Sequence, residues 1–184
     1  TARLNPISTI NDLEDQKINI LDVFRNCEYK FGVLDKSVSE RGIISFEAAI
    51  DAVKNQLADV LITAPINKNA AYSSKFKFAG QTDYLSSFFN VEALMLMVSE
   101  DLRMALTTDH IPLKEVHSVL NKDLIKRKLG LLNKTLQEDF EIPNPRIAVL
   151  AINPHAGDNG VIGDEDNNVS VPVIKELNGK NHYI

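Results

Sequence analysis

Two histidines are the strongest candidates for chemistry in this chain. His110 closes Thr107-Thr108-Asp109-His110, and His155 sits in Asn153-Pro154-His155-Ala156-Gly157-Asp158. Each motif follows an apolar run with the character of a strand. In open α/β sheets ligands bind beyond the carboxyl ends of the strands, so both imidazoles could reach one edge of a cleft. Imidazole nitrogen suits borderline divalent metals, and a Lewis-acid centre wants about three protein ligands with open positions. The alternative is that each imidazole hydrogen-bonds a loop backbone. Two histidines do not complete a metal site, so the missing ligand would be Asp109, Asp158, a residue outside this sequence or one from another subunit. His117, inside a predicted helix over Leu113–Leu120, reads as a surface residue, and His182 as neither.

A second polar cluster is Gly80-Gln81-Thr82-Asp83, which opens into the apolar run Tyr84–Phe89. It reads as a helix start with Thr82 as N-cap. The same turn could instead seat an anion, because a helix N-terminus offers free N–H groups and the positive end of a dipole. Thr63-Ala64-Pro65-Ile66-Asn67-Lys68 also follows a strand-like run, and Lys68 could add positive charge to such a seat or simply be solvated.

The elements that must position these residues alternate between helix and strand. Lys17–Phe24 is a candidate strand, and residues 28–44 read as an irregular or hairpin-like connection. Phe46, Ala49, Ile50, Val53 and Leu57 recur at helical spacing behind Ser45 as cap, and Val60–Thr63 then reads as a short buried strand ending at Pro65. Ala93–Val98 and Leu102–Thr107 flank a tight turn and predict a hairpin. Leu124, Ile125, Leu129, Leu132, Leu136 and Phe140 trace a long helix from Asn121, closed by Pro143 and Pro145. Arg146–Ile152 is the clearest buried strand, and Val169, Val173, Ile174 and Leu177 predict a last helix. The pattern is α/β with a mostly parallel or a mixed sheet.

Composition narrows the class. The chain has 184 residues, 44% of them hydrophobic, enough for a packed core. With 20 Lys+Arg against 25 Asp+Glu, the net charge of −5 argues against a nucleic-acid-coating role. The single cysteine, Cys27, excludes an internal disulfide framework and a CxxC site. No apolar run is long enough for a membrane span, and no secretory h-region follows the first residues. No GxGxxG, GxxxxGK[ST] or GxSxG motif occurs. Position 1 is not Met and the chain stops as a new strand begins, so part of a longer protein is expected.

Four segments in order resemble 4-hydroxythreonine-4-phosphate dehydrogenase, an enzyme family of pyridoxal phosphate biosynthesis. They are Thr63–Lys68 (TAPINK), Phe78–Tyr84 (FAGQTDY), Leu102–Leu113 (LRMALTTDHIPL) and Asn153–Asp158 (NPHAGD). The resemblance runs from about Ile43 to Leu177 and is loose over residues 1–42. It implies a fold like isocitrate and isopropylmalate dehydrogenases, with two α/β/α lobes and the active site in the cleft at a homodimer interface. That fold binds NAD or NADP without GxGxxG. On this resemblance residues 1–184 are an incomplete portion, a little over half, of a two-lobed cytoplasmic enzyme, with N- and C-terminal parts missing and no lobe boundary assigned.

The resemblance also implies roles. His110 and His155 fall on two of three metal-binding histidines, the third coming from the partner subunit, with zinc, magnesium or cobalt as the metal. The family's substrate-contacting His-Thr pair falls on Gln81 and Thr82, so Gln81 replaces a histidine; it can donate a hydrogen bond but carries no positive charge. The implied reaction is oxidation of 4-phosphooxy-L-threonine to 2-amino-3-oxo-4-phosphooxybutanoate, which decarboxylates to 3-amino-2-oxopropyl phosphate. The metal would polarise the substrate hydroxyl, and Thr82 with Gln81 would anchor the substrate away from the reacting carbon. No residue is assigned a catalytic role, and none is assigned to the nicotinamide cofactor. The alternatives are a dehydrogenase for threonate or erythronate phosphate, a metal-dependent hydrolase, or a binding module that keeps the cleft without a complete site.

Overall fold

A parallel pair of short strands opens the chain. The computed structural model describes residues 3–24, 28–72 and 76–179, so Cys27 and His182 lie outside the described residues. The chain divides into two compact units, Thr1–Phe88 and Phe89–Ile184.

In the first unit β1 (Leu4–Ile7) pairs with β2 (Ile18–Leu21), Leu4 opposite Ile18 and Ile7 opposite Leu21. β2 lies inside the expected 17–24 segment. β1 was not legible, because Asn5 and Pro6 both disfavour strand. Side-chain amides pin the register: Asn5 Nδ2 donates to Asn19 Oδ1 at 2.7 Å, and Asn19 Nδ2 donates to the Glu14 carbonyl at 3.0 Å.

Helix α1 (Lys36–Lys54) starts well before Ser45, the expected cap, so the 28–44 segment is irregular only as far as Asp35. Asp35 Oδ1 accepts the Ser37 N–H at 2.7 Å, and these Ser37 hydrogen bonds hold its carboxyl below the ordinary aspartate value. The early turns carry Lys36, Ser37, Glu40 and Arg41, which hide helical periodicity behind charge. Ile43, Phe46 and Ile50 recur on one face and form a core with Ala71 and Phe76. Ile50 is 0% exposed, a burial worth about 2 kcal/mol. Helix α2 (Lys68–Ala71) is capped by Asn67, whose Oδ1 accepts the Ala70 N–H at 3.0 Å.

Helix α3 (Gln81–Phe89) brings Tyr84 into the same core. Its ring stacks on Phe76 at 5.4 Å and meets Phe78 edge-on at 5.0 Å, while Tyr84 Oη donates to Glu47 Oε1 at 3.2 Å. The run Val60–Thr63, expected as a buried strand, makes no ladder among the described residues. Leu61 packs on the core, but Val60 and Ile62 face solvent, Ile62 at 91% exposure.

The second unit begins with the expected hairpin, β3 (Leu96–Val98) antiparallel to β4 (Arg103–Ala105). Helix α4 (Leu113–Val119) follows, with His117 exposed on it as expected. Helix α5 (Lys122–Glu138) starts where predicted, Asn121 Oδ1 accepting the Leu124 N–H at 2.9 Å. It ends at Asp139 rather than running on to Pro143, because the Phe140 N–H turns back to the Thr135 carbonyl and the Ile142 N–H to Leu136. Phe140 therefore lies outside the helix.

Arg146–Ile152, expected as a buried strand, is covered on one side only. Ile147, Val149 and Ile152 pack on the second core, whereas Leu150 is 82% exposed and no ladder forms among the described residues. The last helix arrives as predicted, but through a π-helical turn, Asp166–Ser170, that leads into α6 (Val171–Asn178). Ile125 and Leu129 of α5 pack on Val173 and Leu177 of α6, and Lys126 Nζ donates to Glu176 Oε1 at 2.6 Å across the helix pair. The mixed α/β character is as expected. The mostly parallel sheet is not what the described strands form: they make one parallel pair and one antiparallel hairpin.

Candidate functional site

In the first unit Gln81 and Thr82 occupy the first turn of α3, both half-buried. The helix starts at Gln81, so Thr82 is inside the turn and not its N-cap. Main-chain N–H groups of a first turn point out of the helix end, which keeps the anion-seat chemistry open to both residues. Gln81 is held from the side: Thr63 Oγ1 donates to Gln81 Oε1 at 3.2 Å. That bond joins two of the polar segments singled out from the sequence. It occupies the glutamine's acceptor and leaves its amide N–H₂ as the group available for donation. Lys68 stands at the first position of α2, exposed.

In the second unit His110 and His155 are both exposed, each on a loop. His110 follows half-buried Thr107, Thr108 and Asp109 and has φ of +50°, a left-handed backbone that a non-glycine residue adopts at a cost. Ala156, Asp158 and Asn159, just past His155, share that conformation at +52°, +46° and +55°. Strained backbone thus collects in the two histidine loops. The segments leading into them, Ala105–Thr108 and Val149–Ile152, wall one cavity of about 310 Å³, which Ser170 also lines.

The His155 loop folds back on itself. The His155 N–H donates to Asn153 Oδ1 at 3.0 Å, the Ala156 N–H to the Asn153 carbonyl at 2.8 Å, and the Ile162 N–H to the Gly157 carbonyl at 3.1 Å. Asn153 Nδ2 donates to the Ile162 carbonyl at 3.2 Å and closes the loop from inside. Gly157 has φ of +76°, and a Cβ there would run into the Gly163 carbonyl. Asp166 supports the entry to this loop. Burial acts to raise its pKa, but hydrogen bonds from Ile152, Ser170 and Asn153 outweigh it and keep the carboxyl below the ordinary aspartate value. Asp166 was not singled out in the sequence, where it falls at the end of a Gly- and Asp-rich loop; its spacing to Ser170 was the available signal.

Two imidazoles are donors suited to zinc or cobalt more than to oxygen-preferring magnesium. Among the described residues no three His, Cys, Asp or Glu side chains gather into a metal site. Asp109 and Asp158, the in-chain candidates for a third ligand, do not complete one with the two histidines. A metal at these histidines would therefore need ligands beyond those the described residues bring together.

Helices interleaved with short strands, and two extended segments that wall one cavity, define an α/β protein. The chain belongs to the family described as Pyridoxal phosphate biosynthetic protein PdxA, whose model matches residues 1–184. It is 37% identical over 180 residues to the 4-hydroxythreonine-4-phosphate dehydrogenase of Bacteroides thetaiotaomicron, covering 94% of this chain and 49% of that protein. To the protein of that name from Sulfurihydrogenibium sp. it is 38% identical over 175 residues, covering 95% and 54%. Its structure is similar to that of the Klebsiella pneumoniae 4-hydroxythreonine-4-phosphate dehydrogenase, with a TM-score of 0.80 and 26% identity over 99% of this chain and 56% of that one. The chain spans about half the length of the curated relatives it matches. No described helix is long and apolar enough to cross a membrane.

Proposed function

We propose that the protein oxidises 4-phosphooxy-L-threonine to 2-amino-3-oxo-4-phosphooxybutanoate in pyridoxal phosphate biosynthesis, using NAD or NADP and a divalent metal. The product then decarboxylates to 3-amino-2-oxopropyl phosphate. In this reading the whole protein is a cytoplasmic homodimer of the two-lobed isocitrate dehydrogenase type. His110 and His155 supply two metal ligands, and a histidine of the partner subunit supplies the third. A bound nicotinamide would supply the hydride acceptor, and a metal held by His110, His155 and the partner's histidine would supply Lewis acidity at the substrate hydroxyl.

The residues of this chain bind and orient. Gln81 offers its amide N–H₂ and Thr82 its hydroxyl to the substrate, with Thr63 fixing the glutamine's orientation. Contacts remote from the reacting carbon hold the substrate in place and convert binding energy into orientation. The observation that supports the reading is a shared cavity: Ala105–Thr108, which lead toward His110, and Val149–Ile152, which lead toward His155, wall the same space, and the two imidazoles lie outside its lining.

The test is formation of NADH or NADPH by the full-length protein with 4-phosphooxy-L-threonine, followed by near-ultraviolet absorbance. A hydrolase on the same histidines produces none. His110→Ala and His155→Ala should each abolish turnover and metal retention together; turnover that survives both substitutions excludes the metal assignment. Gln81 favours a second reading, a dehydrogenase for threonate or erythronate phosphate. Those substrates in the same assay separate the two.

A further inference from the structure

The backbone that carries His155 is fastened by a carboxylate from elsewhere in the fold. Asp166 is 5% exposed and meets the chain where the extended run becomes the histidine loop. Its Oδ1 accepts the Ile152 N–H at 2.9 Å and its Oδ2 accepts the Asn153 N–H at 3.0 Å. Ser170, 3% exposed, donates its hydroxyl to the same Oδ1 at 2.7 Å and to the Asp166 carbonyl at 3.2 Å. The π turn engages the main chain as well, since the Val171 N–H donates to the Asp166 carbonyl. From Asn153 the constraint passes on, because its Oδ1 accepts the His155 N–H and its Nδ2 donates to the Ile162 carbonyl.

We infer that Asp166, locked by Ser170, is a positioning residue that sets the backbone from which His155 projects. Only a carboxylate can accept two main-chain N–H groups, one on each oxygen, and a hydroxyl besides. A buried acceptor pair of this kind is costly to lose, since the two N–H groups would be left unmet at the edge of the core. The consequence for metal binding rests on the reading of His155 as a ligand; the effect on the backbone does not.

The test uses the full-length protein, amide hydrogen exchange and cobalt(II) as the probe. Asp166→Asn keeps the shape but turns an N–H₂ toward a main-chain N–H. Exchange at Ile152, Asn153 and His155 should accelerate about tenfold while α5 amides such as Leu129 keep their wild-type rates. Cobalt(II) affinity should fall about tenfold with a changed visible spectrum, the range expected when a support behind a ligand is removed. Unchanged exchange at residues 152–155 overturns the inference. Accelerated exchange in Asp166→Asn, combined with undiminished cobalt(II) affinity in His155→Ala, upholds the positioning role and refutes the metal reading. If Asp166→Asn loosens α5 as well, Ser170→Ala decides: a smaller acceleration confined to residues 152–155 supports the inference, and wild-type exchange there overturns it.

Discussion

The main-chain carbonyl of Gly163 stands where a Cβ on Gly157 would be. This close approach explains why position 157 is glycine; at Gly163 a Cβ would instead run into the Glu165 carboxylate and the Asn153 amide. Gly157 also has φ of +76°, where an L side chain is strained irrespective of space. Gly157→Ala should therefore destabilise the protein by about 1–3 kcal/mol. Gly42 is the control: it lies in α1 with nothing within 4 Å of where a methyl would stand, so its change to Ala should stabilise by about 0.5–1 kcal/mol. Thermal unfolding of the two variants checks both signs, and equal midpoints would rule out the steric account.

Tyr84 gives a prediction at alkaline pH. Burial, and then the neighbouring charge of Glu47, raise its pKa above the ordinary tyrosine value of 10.0. The folded state thus holds the phenolic proton more tightly than the unfolded chain. The associated stability is fully present below pH 10.0 and is lost as pH rises through the folded value. Denaturant midpoints should be flat in this respect up to the ordinary tyrosine range and fall above it. Tyr84→Phe should flatten that alkaline decline; an identical decline in the variant would assign it to other groups.

Gln81 provides the third prediction. Gln81→His should introduce a cation at low pH where the present side chain is neutral, at the cost of the hydrogen bond that Thr63 Oγ1 donates to Gln81 Oε1. For a phosphorylated substrate KM should drop several-fold at about pH 6, and the gain should fade by about pH 8 as the imidazole loses its proton. A KM change that is the same at both pH values would show that charge is not what the substitution alters.

The fold was legible where local signals agreed. α5 carried a helical apolar stripe and a capping asparagine, so its start at Asn121 could be read directly. The first turns of α1 could not, because Lys36, Ser37 and Glu40 are exposed, Arg41 is charged, and the buried face begins only at Ile43. Val60–Thr63 and Arg146–Ile152 read as strands buried on both sides, yet Ile62 and Leu150 face solvent. Hydrophobicity reports what a segment is able to bury, and says nothing of whether its neighbours lie in the same 184 residues. At the candidate site the exposed histidines and the polar helix start were readable as motifs. The bond from Thr63 to Gln81 and the burial of Asp166 were not, because both depend on segments far apart in sequence meeting in space.

The two cores differ in kind, and that makes them separately visible. The first is aromatic, with Tyr84 fixed among Phe46, Phe76 and Phe78; the second is built from Ile125, Leu129, Val173 and Leu177. The chain has no tryptophan, and Tyr29 and Tyr72 are exposed. A rigid, asymmetric setting for aromatic rings is what generates near-ultraviolet circular dichroism. Among the described residues that signal therefore follows the melting of the Thr1–Phe88 unit, whereas loss of the aliphatic core is seen mainly through helical far-ultraviolet intensity. A mismatch between the two transitions would reveal that the halves of this chain let go independently.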